Sequence, residues 1–155
     1  MLTVRTLMET TFAKYGELVR DLLNKAVKPT GKTMSAEEFA REFVTFSEPN
    51  GGAYMFVTDL QTPVGFAGFC KLQEKIGSLT YWYIAPTVDP RTPAVLLEQV
   101  FRKAIRLGYD KLRLTSVLLS DRTVLDYVIQ HAKNVLKGKP LEFCPSQEYF
   151  DVPLQ

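Results

Sequence analysis

Apolar and polar positions alternate with a period of two over residues 2–7, Leu-Thr-Val-Arg-Thr-Leu, and the β-branched types there predict a first strand. The period then changes. Phe12, Tyr15, Leu18, Val19, Leu22, Leu23 and Ala26 share one stripe, which predicts a helix over 10–27 that Lys28-Pro29-Thr30-Gly31 ends. Ser35 with Glu38 is a capping-box pattern, and Phe39, Phe43 and Phe46 continue it as a second helix. A turn at Glu48-Pro-Asn-Gly-Gly leads to strands over 53–58 and 63–72, joined by a hairpin at 59–63. Residues 78–85, Ser-Leu-Thr-Tyr-Trp-Tyr-Ile-Ala, make another strand. Val95, Leu96, Val100, Phe101, Ala104, Ile105 and Leu107 mark an amphipathic helix over 94–107 that Gly108 closes. Strand alternation returns over 111–118, Ser120 opens a helix running to about His131, and a weaker strand is expected over 147–153.

The order β-α-α-β-β-β-α-β-α-β predicts one α/β (α+β) domain over residues 1–155. Its sheet is expected to be mixed and mostly antiparallel, with 6–7 strands and about four flanking helices. A helix joins the strands near 80 and 114, so these two are expected to lie parallel and adjacent.

Composition narrows the function classes. The net charge of +2 is small and the basic residues alternate with acidic ones, so no nucleic-acid partner is expected. No apolar stretch approaches the roughly 20 residues that span a bilayer, so no membrane partner is expected. The first residues alternate and carry charge, unlike a signal peptide. Cys70 and Cys144 have neither the spacing of a zinc site nor a disulfide framework, and reduced thiols in a cytoplasmic protein are expected. His131 is the single histidine, which removes a His-rich metal site; its place near a helix end suits a structural cation.

The joint at 84–94, Ile-Ala-Pro-Thr-Val-Asp-Pro-Arg-Thr-Pro-Ala, carries the chemical question. Strand-to-helix joints hold phosphates because the free amides of the helix start point outward. This joint has three prolines, and proline has no amide hydrogen to donate.

Three stretches resemble the GNAT (N-acetyltransferase) superfamily. Tyr83-Ile-Ala-Pro86 is similar to the exit of that family's fourth strand. Leu96-Leu-Glu98 to Arg106-Leu-Gly-Tyr-Asp-Lys-Leu112 resembles the helix after its cofactor loop and the strand beyond. Tyr127 falls where many members carry a tyrosine. The resemblance implies an acyl-CoA-dependent N-acyltransferase, with acetyl-CoA as donor, an amine-bearing acceptor and no metal. It implies that Ile84 and Ala85 offer backbone groups to the pantetheine arm, that Arg91, Thr92 and Ala94 hold the pyrophosphate, and that Tyr127 protonates the departing thiolate. Ser120 falls near a cofactor-holding asparagine of the family, and is read more simply as the N-cap of its helix. Lys28 and Lys32 border the acceptor side in this frame.

The chain departs from the family pattern in two places. The family loop usually reads Gln/Arg-x-x-Gly-x-Gly/Ala, and its amides cradle the pyrophosphate. The matching stretch, Val88-Asp-Pro-Arg-Thr-Pro93, has no glycine, two prolines and an aspartate. Each lost charge-assisted bond costs about 1.5–3 kcal/mol. Losing two lowers affinity by roughly two to four orders of magnitude. Either Arg91 replaces the cradle as a side-chain clamp, or the cradle has been abandoned. Secondly, residues 78–85 hold no carboxylate to serve as general base; Tyr81 and Tyr83 have phenols too weakly basic at neutral pH, and Glu74 lies at the end of the previous strand.

Pro29-Thr-Gly-Lys-Thr33 looks like the end of a phosphate-binding loop but lacks its first glycine, Ala26 standing there. The aromatic set from Phe39 to Trp82 reads mainly as core, and Phe143, Tyr149 and Phe150 as a cap on the sheet or a docking edge. The alternative function is a catalytically inactive GNAT-like structural or assembly protein. It would act as a homo-oligomer or with an assembly partner, for example in a virion.

Overall fold

The computed structural model describes residues 1–27, 33–137 and 148–155. Lys28, Lys32, the Pro29–Thr33 stretch up to Thr33, Phe143 and Cys144 lie outside the described residues. The chain runs through β1 (Leu2–Thr6), a 3-10 turn (Glu9–Thr11), α1 (Phe12–Val27), α2 (Ala36–Thr45), β2 (Ala53–Asp59), β3 (Thr62–Gln73), β4 (Ile76–Ile84), α3 (Thr92–Arg106), β5 (Lys111–Thr115), α4 (Ser116–Leu119), α5 (Arg122–Leu136) and β6 (Tyr149–Pro153). The strands form one six-stranded sheet in the order β1-β2-β3-β4-β5-β6. Every pairing is antiparallel except the parallel one between β4 and β5, as the crossover through α3 requires.

Each face of the sheet has its own core. α1 and α2 cover one, where Val19, Leu22, Leu23 and Phe39 meet Tyr54, Phe56 and Phe66. α3 and α5 cover the other, where Leu96, Leu97, Val100, Val124 and Val128 meet Met55, Val57, Leu112 and Leu114. β2 alternates between them: Tyr54 and Phe56 face the first, Met55 and Val57 the second. Lys103 of α3, only 9% exposed, reaches Glu48 beside α2 and is neutralised there.

Local chemistry sets most element ends. Ser35 accepts from the Glu38 amide at 3.2 Å while Glu38 accepts from the Ser35 amide at 3.4 Å, the reciprocal cap expected. Gly108 follows α3 with φ 96°, a conformation without Cβ penalty for glycine alone. The β2–β3 hairpin is tighter than expected. Asp59 pairs with Thr62, leaving the two-residue loop Leu60-Gln61 with φ of 50° and 81°, the signs of a primed turn made without glycine.

Several boundaries differ from the sequence reading. The strand expected over 111–118 stops at Thr115, and Ser116–Leu119 turn as α4. Ser120 is not the cap of the following helix. Asp121 is, its carboxylate accepting from the amides of Thr123 at 2.9 Å and Val124 at 3.4 Å. A carboxylate outcompetes a hydroxyl at a helix start because it also meets the dipole. α5 runs on to Leu136, past His131.

Candidate active site

The β4–β5 seam is short. Only Ile76–Lys111, Gly77–Leu112 and Ser78–Arg113 pair; beyond them β4 continues to Ile84 while β5 ends at Thr115. A bulge directs the parting. Gly68 pairs with Tyr81 and Phe69 with Leu79, so Thr80 is an extra residue in β4. The insertion shifts the phase of the strand. Leu79 faces the α3/α5 core, whereas Tyr81 and Tyr83 face α1/α2, and Trp82 and Ile84 return to the α3/α5 side.

The parted strands open a cavity of about 520 Å³. Leu79, Thr80, Tyr81 and Trp82 form its β4 wall; Thr115, Leu118 and Asp121 form the wall opposite, with Ala26 and Val27 of α1 at one side. This volume lies within the range of small-molecule sites, roughly 300–1,000 Å³. The backbone of the wall is polar where it counts. The Ala85 amide donates to the Val64 carbonyl at 2.9 Å, so Ala85 is turned toward β3. By antiparallel alternation, the backbone groups of Ile84 and Trp82 then point away from β3, toward the opening. Of the two residues expected to greet an extended ligand, Ile84 is so oriented and the Ala85 amide is not.

The start of α3 is closed upon itself. The Asp89 carboxylate accepts from the Arg91 amide at 2.9 Å and from its guanidinium at 3.1 Å through Nε and 2.7 Å through Nη2. The Asp89 carbonyl accepts from the Thr92 amide at 3.0 Å and the Thr92 hydroxyl at 2.7 Å. Thr92 is buried, Pro93 has no donor, and the Val95 amide turns to the Arg91 carbonyl, which leaves the Ala94 amide as the one not spent in this way. The Arg91 side chain and amide hold the Asp89 carboxyl down at about 2, so it stays charged at any ordinary pH. The joint therefore carries its own anion where the family resemblance implies the donor's pyrophosphate.

Tyr127 stands in the seam between α5 and α3, its ring 5.7 Å from that of Phe101 and 6.5 Å from that of His131. It is not among the residues lining the cavity. Burial, with Glu98 nearby, pushes its phenol up to about 12. Ser120 sits one residue before the cap Asp121 and, unlike Asp121, does not line the cavity. His131 is structural: Nε2 lies 2.9 Å from the Pro153 carbonyl and ties α5 to β6. Among the described residues no group of His, Cys, Asp and Glu is placed to hold a metal ion, and no helix is long and apolar enough to cross a membrane.

One cluster escaped the sequence reading. Glu42 on α2 accepts hydrogen bonds from two phenols, Tyr54 on Oε1 and Tyr81 on Oε2, the latter at 3.0 Å. Burial, and then the bonds to Glu42, push both phenols up, so each remains a donor. These residues are 12 and 39 positions apart, beyond any local motif. A signal did exist: Glu42 lies three positions after Phe39 and four before Phe46, a charge on an apolar stripe.

No protein-family model and no curated protein matches this chain. Solved structures do. A GNAT-family acetyltransferase from Staphylococcus aureus superposes with TM-score 0.67 at 12% identity, covering all of both chains. Another from Streptococcus pneumoniae gives TM-score 0.64 at 16% identity, over 99% of this chain and 96% of that one. N-acetylglutamate synthase from Neisseria gonorrhoeae, solved with coenzyme A and N-acetyl-glutamate, gives TM-score 0.65 at 12% identity, covering all of this chain and 35% of the synthase. These superpositions over nearly the whole chain, with the mixed six-stranded sheet, show that this chain is built on the GNAT fold.

Proposed function

We propose that the chain is a GNAT-type N-acyltransferase, moving an acetyl group from acetyl-CoA to an amine-bearing acceptor. The observation that carries this reading is the parting of β4 from β5 beside the Thr80 bulge. The slot has room for the extended arm of a thioester, and the outward-turned backbone of Trp82 and Ile84 suits an amide-bearing chain that runs beside β4 as a substitute strand. At the bulge, the β4 backbone would polarise the thioester carbonyl while the amine's lone pair attacks its carbon. Tyr127, protonated throughout the neutral range, is the proton donor that the resemblance implies; since it stands in the α3–α5 seam and not on the cavity wall, the thiolate must leave toward that seam to meet it. Structures on the same fold with acetyl-CoA or coenzyme A bound support the donor class.

The pyrophosphate end fits less well. The resemblance assigns Arg91, Thr92 and Ala94 to it, but Asp89 occupies the first two. Binding must break the Asp89–Arg91 pair, so weak affinity is expected, with a Kd above about 10 µM. Titration calorimetry with acetyl-CoA tests the reading. Saturable heat supports it, and no heat at about 1 mM ligand overturns it in favour of the non-catalytic assembly module, which the self-closed helix start would suit. Tyr127→Phe keeps the ring packing. Because the phenol is a weak acid, kcat is expected to fall roughly tenfold with KM unchanged, less than the usual 10²–10⁴ for such groups.

A further inference from the structure

We propose that Tyr81 and Glu42 are the proton outlet for the attacking amine, Tyr81 touching the nitrogen or its bound water and Glu42 taking the proton through it. This rests on the acyl-transfer reading above.

The cluster is costly to build. A carboxylate on the apolar side of α2 needs partners for both oxygens, and two phenols supply them. Apolar side chains of similar size would fill this space without that cost. The aromatic stack fixes the geometry: Tyr54 lies 5.3 Å from Phe39 and 4.6 Å from Phe46, and Tyr81 lies 5.5 Å from Phe46, between ring centroids. β3 gives up a side chain for it. A Cβ at Gly68 would stand 3.0 Å from Tyr81 Cδ2 and 3.1 Å from Tyr54 Cδ1.

The bulge connects the cluster to the slot. Were Thr80 in register opposite Gly68, Tyr81 would fall on the α3/α5 side with Leu79; because Thr80 is bulged out, Tyr81 faces α1/α2, where it lines the cavity and also reaches Glu42. Tyr81 is therefore shared by the cavity wall and the carboxylate, and no other ionisable side chain of residues 78–85 reaches a carboxylate among the described residues.

The step balances as follows. The nitrogen lone pair bonds to the thioester carbon, and the carbonyl π pair moves to oxygen. The nitrogen, now positive, gives a proton to Tyr81 Oη, and the Tyr81 proton moves to Glu42 Oε2. The oxyanion re-forms the carbonyl, the C–S bond breaks, and the thiolate leaves with its electron pair to be protonated. Glu42 then returns its proton to solvent. Tyr81 is the catalytic residue here; Glu42 acts through it. Tyr54 from β2 and Tyr81 from β4 donate to Glu42, and Cys70 from β3 acts on both phenols.

The test uses the whole chain. It follows release of the CoA thiol from acetyl-CoA with a panel of primary alkylamines, and without amine, where water attacks and sheds a proton by the same route. Tyr81→Phe and Glu42→Gln are each expected to lower kcat at least 100-fold with KM for acetyl-CoA within about threefold. The double variant is expected to be no slower than either single one, because one path cannot be cut twice. Unchanged calorimetric heat with acetyl-CoA shows that a variant is folded, and Tyr81→Phe keeps the ring if Glu42→Gln does not fold. Turnover that survives Tyr81→Phe, or losses that add in the double variant, overturns the outlet alone. A wild-type chain that binds no acetyl-CoA overturns the transfer reading, and the outlet with it.

Discussion

Asp89 shows how one side chain can set the terms of a site. Its carboxylate holds Arg91 by backbone and guanidinium together, in an exposed loop where Arg91 is otherwise 76% open to solvent. Asp89→Asn keeps an oxygen for the Arg91 amide and removes the charge. Its affinity for CoA is expected to rise at least tenfold by calorimetry, while affinity for pantetheine, which has no pyrophosphate, stays unchanged. The sequence showed the missing glycines and the added aspartate; it could not show that Asp89 and Arg91 grip each other, because side-chain pairing across a turn depends on backbone angles that the sequence leaves free. His131 gives a pH effect of definite sign. Burial lowers its pKa in the folded chain, against a smaller upward push from the Pro153 carbonyl. The unfolded chain takes up that proton near pH 6.5, the folded one only lower. Its contribution to stability is thus whole above 6.5 and lost as pH falls through the folded value. His131→Gln is expected to flatten the decline of Tm between about pH 7 and 5, read by calorimetric melting.

At the scale of elements, β4 was legible as a strand and its bulge was not. Leu79, Tyr81, Trp82 and Tyr83 are all large and mainly apolar, so the alternation carries no visible break where Thr80 enters. The partner strand holds the better mark: Gly68 opposite Tyr81, a glycine inside a buried strand. Gly68→Ala should push the two tyrosine rings off Glu42 and cost about 1–3 kcal/mol, measured as a lower urea midpoint. Asp121 in place of Ser120 is a smaller lesson. Both residue types cap helices, and α4, a single turn between β5 and α5, moved the boundary by one position.

For the whole molecule, periodicity alone carried far. The element order, the crossover through α3 and the parallel contact of β4 with β5 all follow from where the period switches between two and 3.6. The two cores follow as well, since each helix has one apolar stripe and the sheet has two faces. The Glu42 cluster could not be read in that way. It joins α2, β2 and β4, and its members meet only after the sheet has formed.

The brevity of the β4–β5 seam has a mechanical consequence. Three paired residues tether the four-strand block β1–β4 to the ribbon β5–β6, with the α3–α5 packing as the other bond between them. A thioester arm seated in the gap would act as a seventh strand and brace the ribbon against opening. Amide hydrogen exchange at Leu114 and Thr115, which pair with β6 but not with β4, should then slow when acetyl-CoA is added, more than in β2, where residues 55–59 pair on both sides.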